Sequence, residues 1–105
     1  MIKFNITDEL ENKFYELIKS TLNTNIRYAN IKDLGDQYRF EFSYSNGDVW
    51  HFELDKNSFE GGNHFILHCS TIKMNIPMDY IKDLKMFCAQ IARIKEMQIE
   101  YVKNR

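Results

Sequence analysis

The sequence predicts an α+β domain, a mostly antiparallel β-sheet of three to five strands with an N-terminal helix and a long C-terminal helix packed on one face. Three observations carry that reading. Residues 38–54 hold two runs of polar–apolar alternation separated by Asn46-Gly47, the pattern of a β-hairpin. Apolar residues recur at helical spacing over residues 8–22 and again over 78–103. Hydrophobic residues make up 44% of the 105 and aromatics 14%, enough apolar area for one core and one domain over residues 1–105.

Ile2, Phe4 and Ile6 alternate with Lys3 and Asn5, so a short strand is expected first. Thr7 or Asp8 then caps a helix; Asp8 and Glu11 have capping-box spacing, and acids in a first turn suit the helix dipole. Leu10, Phe14, Leu17, Ile18, Thr21 and Leu22 form one stripe of that helix, and Asn23-Thr24-Asn25 ends it. Residues 26–34 read either as a strand or as an irregular crossover, before a turn at Gly35-Asp36.

In the hairpin, Tyr38, Phe40, Phe42 and Tyr44 form one aromatic row, and Trp50, Phe52 and Leu54 form the facing row. A two-residue Asn46-Gly47 loop would pair Ser43 with Trp50 and throw the rows onto opposite faces. A three-residue loop, Ser45-Asn46-Gly47, pairs Phe42 with Trp50, Phe40 with Phe52 and Tyr38 with Leu54. It also sets Arg39 opposite Glu53 and Glu41 opposite His51. Gly47 then takes the left-handed position of a bulge, where the missing Cβ removes the steric penalty. The odd loop is therefore expected.

Asn57 to Asn63 reads as a loop, with Gly61-Gly62 at a turn. His64 to Ile76 is extended, but its apolar set shifts from Phe65, Leu67 and Cys69 to Ile72, Met74 and Ile76, which predicts a bulge or bend at Ser70-Thr71. Pro77 precedes one continuous helix from Met78 to Lys103, with Asp79 and Asp83 early and Lys103 and Arg105 late. The expected order is β-α-(β)-β-β-β-α. Its α-β-β-β-α portion resembles, in element order alone, the double-stranded RNA-binding domain. That family opens its last helix with a basic cluster, whereas Met78-Asp79-Tyr80-Ile81-Lys82-Asp83 carries two acids there, so no function is carried over.

Composition narrows function further. A formal net charge of −1 gives no global field for a polyanion. Cys69 and Cys88 read as buried thiols in a reducing compartment. Met1-Ile2-Lys3-Phe4 lacks a signal-type apolar run, and no apolar stretch nears the ~20 residues that span a bilayer, so a cytoplasmic location is expected. Richness in Ile, Lys and Asn suits an accessory protein of an AT-rich bacterial or phage genome.

No constellation compels chemistry. His64, His68 and Cys69 suggest metal-ligand spacing, but four residues of strand span ~13 Å, too far for one ion. Glu41 and His51 form an acid–base pair with no nucleophile near them, which reads as a solvated polar face. Neither cysteine has an activating neighbour in sequence, and Glu60-Gly61-Gly62-Asn63 lacks the lysine and spacing of a phosphate loop. The aromatic row could stack bases, but two helices with apolar stripes need that area for a core. In residues 36–76, Arg39, Lys56 and Lys73 face Asp36, Glu41, Asp48, Glu53, Asp55 and Glu60, an acidic balance that repels phosphate. No catalytic residue, cofactor or metal is expected.

The last helix is the strongest lead. Tyr80, Leu84, Phe87, Ile91, Ile94, Gln98 and Tyr101 repeat at four-three spacing. At 1.5 Å per residue a helix over 78–103 spans ~39 Å, longer than the ~20–30 Å strands, so its end is expected to overrun the sheet and seek another apolar surface. The expected function is a small non-enzymatic protein-binding module, an inhibitor or regulator of a larger protein partner or a homodimer. Its expected contacts are Ile94, Met97, Gln98, Tyr101 and Val102 on the helix, and Arg39, Glu41, His51 and Glu53 on the open sheet face. The competing class is a nucleic-acid-binding accessory domain using Arg93, Lys95, Lys103 and Arg105; a small enzyme is the third.

Overall fold

The computed structural model describes residues 1–59 and 62–103, apart from the side chains of Tyr101 and Val102. Glu60 and Gly61 of the expected loop, and the basic residue Arg105, lie outside the described residues.

Helix α1 spans Asp8–Leu22. Thr7 is its N-cap, with Oγ1 accepting from the Leu10 amide at 3.1 Å. Asn23 ends it in the left-handed region at φ 50°, returning its N–H to the Lys19 and Ser20 carbonyls. Because Thr7 is the cap, the Asp8–Glu11 box does not form, and the Glu11 carboxylate is released for another task.

Among the described residues five strands follow: β1 (Ile26–Asp33), β2 (Gln37–Tyr44), β3 (Val49–Asp55), β4 (His64–Cys69) and β5 (Ile72–Pro77), paired in the order β1-β2-β3-β4-β5. Every neighbouring pair is antiparallel. Two helices close the chain, α2 (Met78–Lys82) and α3 (Leu84–Lys103). The α+β class, with helices packed on the sheet, is as the sequence predicts.

The odd-loop hairpin is present: Phe42 pairs with Trp50, Phe40 with Phe52, Tyr38 with Leu54, Arg39 with Glu53 and Glu41 with His51. Tyr44 and Asp48 close the loop through a 2.9 Å bond from the Tyr44 amide to the Asp48 carbonyl. Gly47 sits at φ +96° with nothing within 4 Å of where a Cβ would stand, so backbone conformation, not space, calls for glycine.

Elsewhere the chain departs from expectation. Residues 2–6 are not a strand. Ile2 is buried and Phe4 and Ile6 half-buried, so their alternation records one-sided burial; single bonds from Ile2 N to the Lys56 carbonyl (2.7 Å) and from Phe4 N to Tyr38 Oη (2.9 Å) hold them. Residues 26–33 are a strand, disguised by a register shift between Ile26 and Tyr28. Ser70-Thr71 is a chain reversal: Cys69 pairs with Ile72, and Ser70 takes φ 55°. The change of apolar phase is what a two-residue hairpin loop requires to keep both strands on one core. The last helix is likewise broken. Asp83, at φ −102° and ψ 108°, ends α2 and caps α3, its Oδ1 accepting from the Lys85 amide at 3.0 Å. With five strands between its helices, the chain also loses the element order that resembled the RNA-binding domain.

The core lies between the sheet and the helices, and Phe40 stands at its centre. Its ring meets Phe4 at 5.8 Å, Phe14 of α1 at 5.4 Å and Phe87 of α3 at 4.7 Å, each edge-to-face. Tyr38, Phe42, Phe52, Leu54, Phe65 and Leu67 surround it on the sheet, and Phe87, Cys88, Ile91 and Ile94 cover it from α3. No helix among the described residues is long and apolar enough to cross a membrane.

The free side of β1 is held by α1. Glu11 Oε2 accepts from the Ile31 amide at 2.9 Å, and Tyr15 Oη, one turn on, donates to the Ile26 carbonyl at 3.0 Å. A helix thus satisfies backbone groups that an edge strand would otherwise offer to another chain. Glu11→Ala is expected to cost about 1 kcal/mol in chemical denaturation and to speed hydrogen exchange at the Ile31 amide, whereas Glu11→Gln, whose amide oxygen can accept the same bond, is expected to cost less. Phe40→Ala is expected to cost about 3–5 kcal/mol by the same measurement.

Candidate functional site

Among the described residues, no helix lies on the side of the sheet opposite the core. Rows of side chains cross it, set by the strand register: Tyr28–Ser43–Val49, Asn30–Glu41–His51, and Lys32–Arg39–Glu53–His68–Lys73. Several of its charges are in mutual contact. Lys32 lies 3.4 Å from Glu41, and Arg39 Nε 3.2 Å from Glu53. His51 Nδ1 stands 3.0 Å from the same Glu53 carboxylate, and Asp55 holds Gln37 at 2.8 Å and His68 Nε2 at 3.0 Å.

Arg39, Glu41, His51 and Glu53 are therefore brought together as expected, with a different pairing. His51 contacts Glu53 of its own strand, while Glu41 turns to Lys32. Among the described residues the face is not acidic: Lys32, Arg39 and Lys73 balance Glu41, Glu53 and Asp55, while Asp36 and Asp48 lie outside the strands. His64 and His68 share this face of β4, and among the described residues no group of three or more His, Cys, Asp or Glu side chains could hold a metal ion.

The helix residues fare differently. Ile94 is fully buried in the chain's own core, so the expectation that it is left in water is corrected: α3, shortened by the break at Asp83, still covers the sheet at that point. Gln98 is not a free seam residue. Its Oε1 accepts from the Cys69 thiol of β4. Met97 is 44% exposed and lies ~100° around the helix from Gln98. The side chains of Tyr101 and Val102 lie outside the described residues. Of the basic helix residues, Arg93 and Lys103 are exposed. Lys95 is engaged, its ammonium 4.9 Å from the Trp50 ring centroid and 5.2 Å from that of Tyr44.

What unites the two sets is Trp50. It has the core parity of β3 but stands second in the strand, at the margin of the helical cover, and it stays half-buried. A hollow of about 370 Å³ is lined by Val49, Trp50, His51, Cys69, Ser70 and Gln98. A second, of about 250 Å³, is lined by Trp50, Gln98, Ile99 and Lys103. The two share Trp50 and Gln98, so His51 of the open face and Gln98 of the helix meet at one corner. Val49, 48% exposed, forms its outer lip. Sequence reasoning missed Val49, Trp50 and Ile99 as contact residues; Trp50 and Ile99 differ from core positions only in standing near the start of β3 and the end of α3, while Val49 belongs to the open face.

Burial pushes the Cys69 thiol up to about 11, with the charge of Glu53 adding, and burial pushes Cys88 up to about 12. Both remain protonated at neutral pH and are poor nucleophiles. Compared with family models, curated proteins and solved structures, the chain matches none.

The raised thiol values set a pH dependence. The ordinary value is 9.0, so an unfolded chain releases these protons first as pH rises. The stability they contribute is whole below pH 9.0 and is lost as pH climbs toward 11 and 12. Denaturation midpoints measured from pH 8 to 11 are expected to fall more steeply for the native sequence than for a Cys88→Ala variant. Alkylation by iodoacetamide at pH 8 is expected to be at least about tenfold slower folded than unfolded.

Proposed function

We propose that this chain is a non-enzymatic protein-binding module, an inhibitor or regulator of a larger protein, which it grips at the corner formed by Trp50, Val49, His51, Gln98 and Ile99. The observation that supports this is the pair of adjoining hollows on either side of a half-buried tryptophan, next to a sheet face that no helix among the described residues covers. Tryptophan in a partly desolvated pocket is a favoured anchor of protein interfaces, and a surrounding polar rim excludes water from it. His51 lines one of the hollows and leads onto the open-face patch of Glu53, Arg39 and Glu41, whose charges are already held by neighbouring side chains, so little side-chain freedom is lost on docking. The setting that suits two buried free thiols is the reducing cytoplasm.

Pairing of two copies through the α3 seam draws less support, because Ile94 and Gln98 are engaged within the chain. Nucleic acid draws less as well: the open face is charge-balanced, and Lys95 lies over two rings. The one tryptophan of the sequence makes the reading testable. A protein recovered on the immobilised chain is expected to shift Trp50 emission when titrated in solution. Val49→Glu together with Ile99→Glu is expected to weaken its binding at least about tenfold with the thermal midpoint little changed. Recovery of nucleic acid alone, or retention of full affinity by the double variant, would falsify the proposal.

A further inference from the structure

Away from the Trp50 corner, the N-terminal segment, α1 and the α2–α3 junction enclose a groove. One hollow of about 340 Å³ and another of about 500 Å³ adjoin there, sharing Phe4, Ile81 and Lys82 in their walls. The floor is apolar, made by Phe4, Leu10, Leu17, Ile81 and Leu84. Around it stand Lys3, Lys13, Lys82 and Lys85, all exposed. Among the described residues Asp83 is the one carboxylate in the lining, and it is committed to the α3 N-terminus through Lys85 N.

This concentration of charge is unlike the rest of the surface. The chain as a whole is −1, yet the groove sets four lysines against one acid. Lys32 and Lys56 have carboxylate partners at 3.4 and 2.6 Å, whereas none of the four groove lysines has one among the described residues. We propose that the groove is a docking site for an acidic amphipathic helix of a protein partner. The helix's apolar face would lie on Phe4, Leu10, Leu17, Ile81 and Leu84, and its carboxylates against Lys3, Lys13, Lys82 and Lys85.

The shape favours this occupant. Leu10 and Leu17 lie seven residues apart on α1, so that wall runs ~10 Å, matching the i to i+7 repeat of a partner helix. The apolar floor is recessed between elements, where side chains on a narrow helix reach it and a bilayer surface does not. Phe4 already packs edge-on against Tyr38 and Phe40, leaving no free aromatic ring in the floor for a base to stack on. Ion pairs at an exposed rim speed encounter and set specificity, while apolar contact in the floor supplies most of the affinity.

The probe is a fluorescein-labelled synthetic peptide of about twelve residues, with leucines at i, i+3, i+4 and i+7 and glutamates elsewhere. Anisotropy titration of the full chain is expected to saturate with a Kd below ~100 μM, and to weaken at least about tenfold in Lys82→Glu/Lys85→Glu. Amide chemical shifts are expected to move at Leu10, Leu17, Ile81 and Leu84. Val49→Glu, at the Trp50 corner, is expected to leave this binding unchanged, so the two sites stand or fall separately. Equal binding of a lysine-for-glutamate peptide, tighter binding of anionic lipid vesicles or of single-stranded DNA, or no saturation at 1 mM peptide would each overturn the proposal.

Discussion

The fold depends on one aromatic ring having a partner in every layer. Phe40 sits mid-strand in β2 and meets the N-terminal segment, α1 and α3 through three edge-to-face contacts. Each such contact is worth roughly 0.5–1.5 kcal/mol beyond the area it buries, and all three require the ring to stay in one orientation. The sheet holds it there from both sides, Phe52 being its partner on β3 and Ile31 on β1. The two helices are thereby anchored to the same residue, and the surfaces they leave between them are consequences of where that residue stands.

A second constraint is the treatment of polar groups at the margins of this core. Lys56 is only 8% exposed, yet its ammonium reaches Asp33 at 2.6 Å and lies 4.5 Å from the Tyr38 ring centroid. Its hydrogen bond holds the Asp33 carboxyl below the usual carboxylate value. Asp33 accepts also from the Gly35 amide, Lys56 N from its own side donates to the Asp36 carbonyl, and the Lys56 carbonyl takes Ile2 N. One lysine thus ties the β1–β2 turn, the end of β3 and the start of the chain. Among the described residues no buried side-chain nitrogen or oxygen lacks a hydrogen-bond partner.

What was legible in the sequence was whatever depends on local period and parity. Gly47 and the two aromatic rows determine the hairpin register between them, because only one loop length puts both rows on one face. Thr7 and Asn23 bracket α1 by capping chemistry that acts within a few residues. The misreadings share a different cause. Ser70 adopts a left-handed conformation without being glycine or asparagine, so the β4–β5 reversal carries no turn signature. Asp83 interrupts an apolar stripe that continues in phase on either side, so periodicity runs straight through the break. Gln98 looks like a seam residue until β4 brings Cys69 beneath it. Trp50 was readable as an aromatic of the row but not as an anchor, since its exposure is decided by where α3 stops covering β3.

The strand order has a kinetic consequence. Every strand pairs with its neighbour in sequence, so the sheet can assemble by successive hairpins, each closing a short loop at low entropic cost. The contacts that finish the core are of another kind: Phe87, Ile91 and Ile94 come from the last fifth of the chain. As the polypeptide leaves a ribosome, Phe40, Phe42, Phe52 and Phe65 can be aligned on a nascent sheet well before α3 exists to cover them. For that interval the molecule is a ribbon with one greasy side, and its yield in a cell is governed by how fast translation reaches α3 relative to how fast two such ribbons meet.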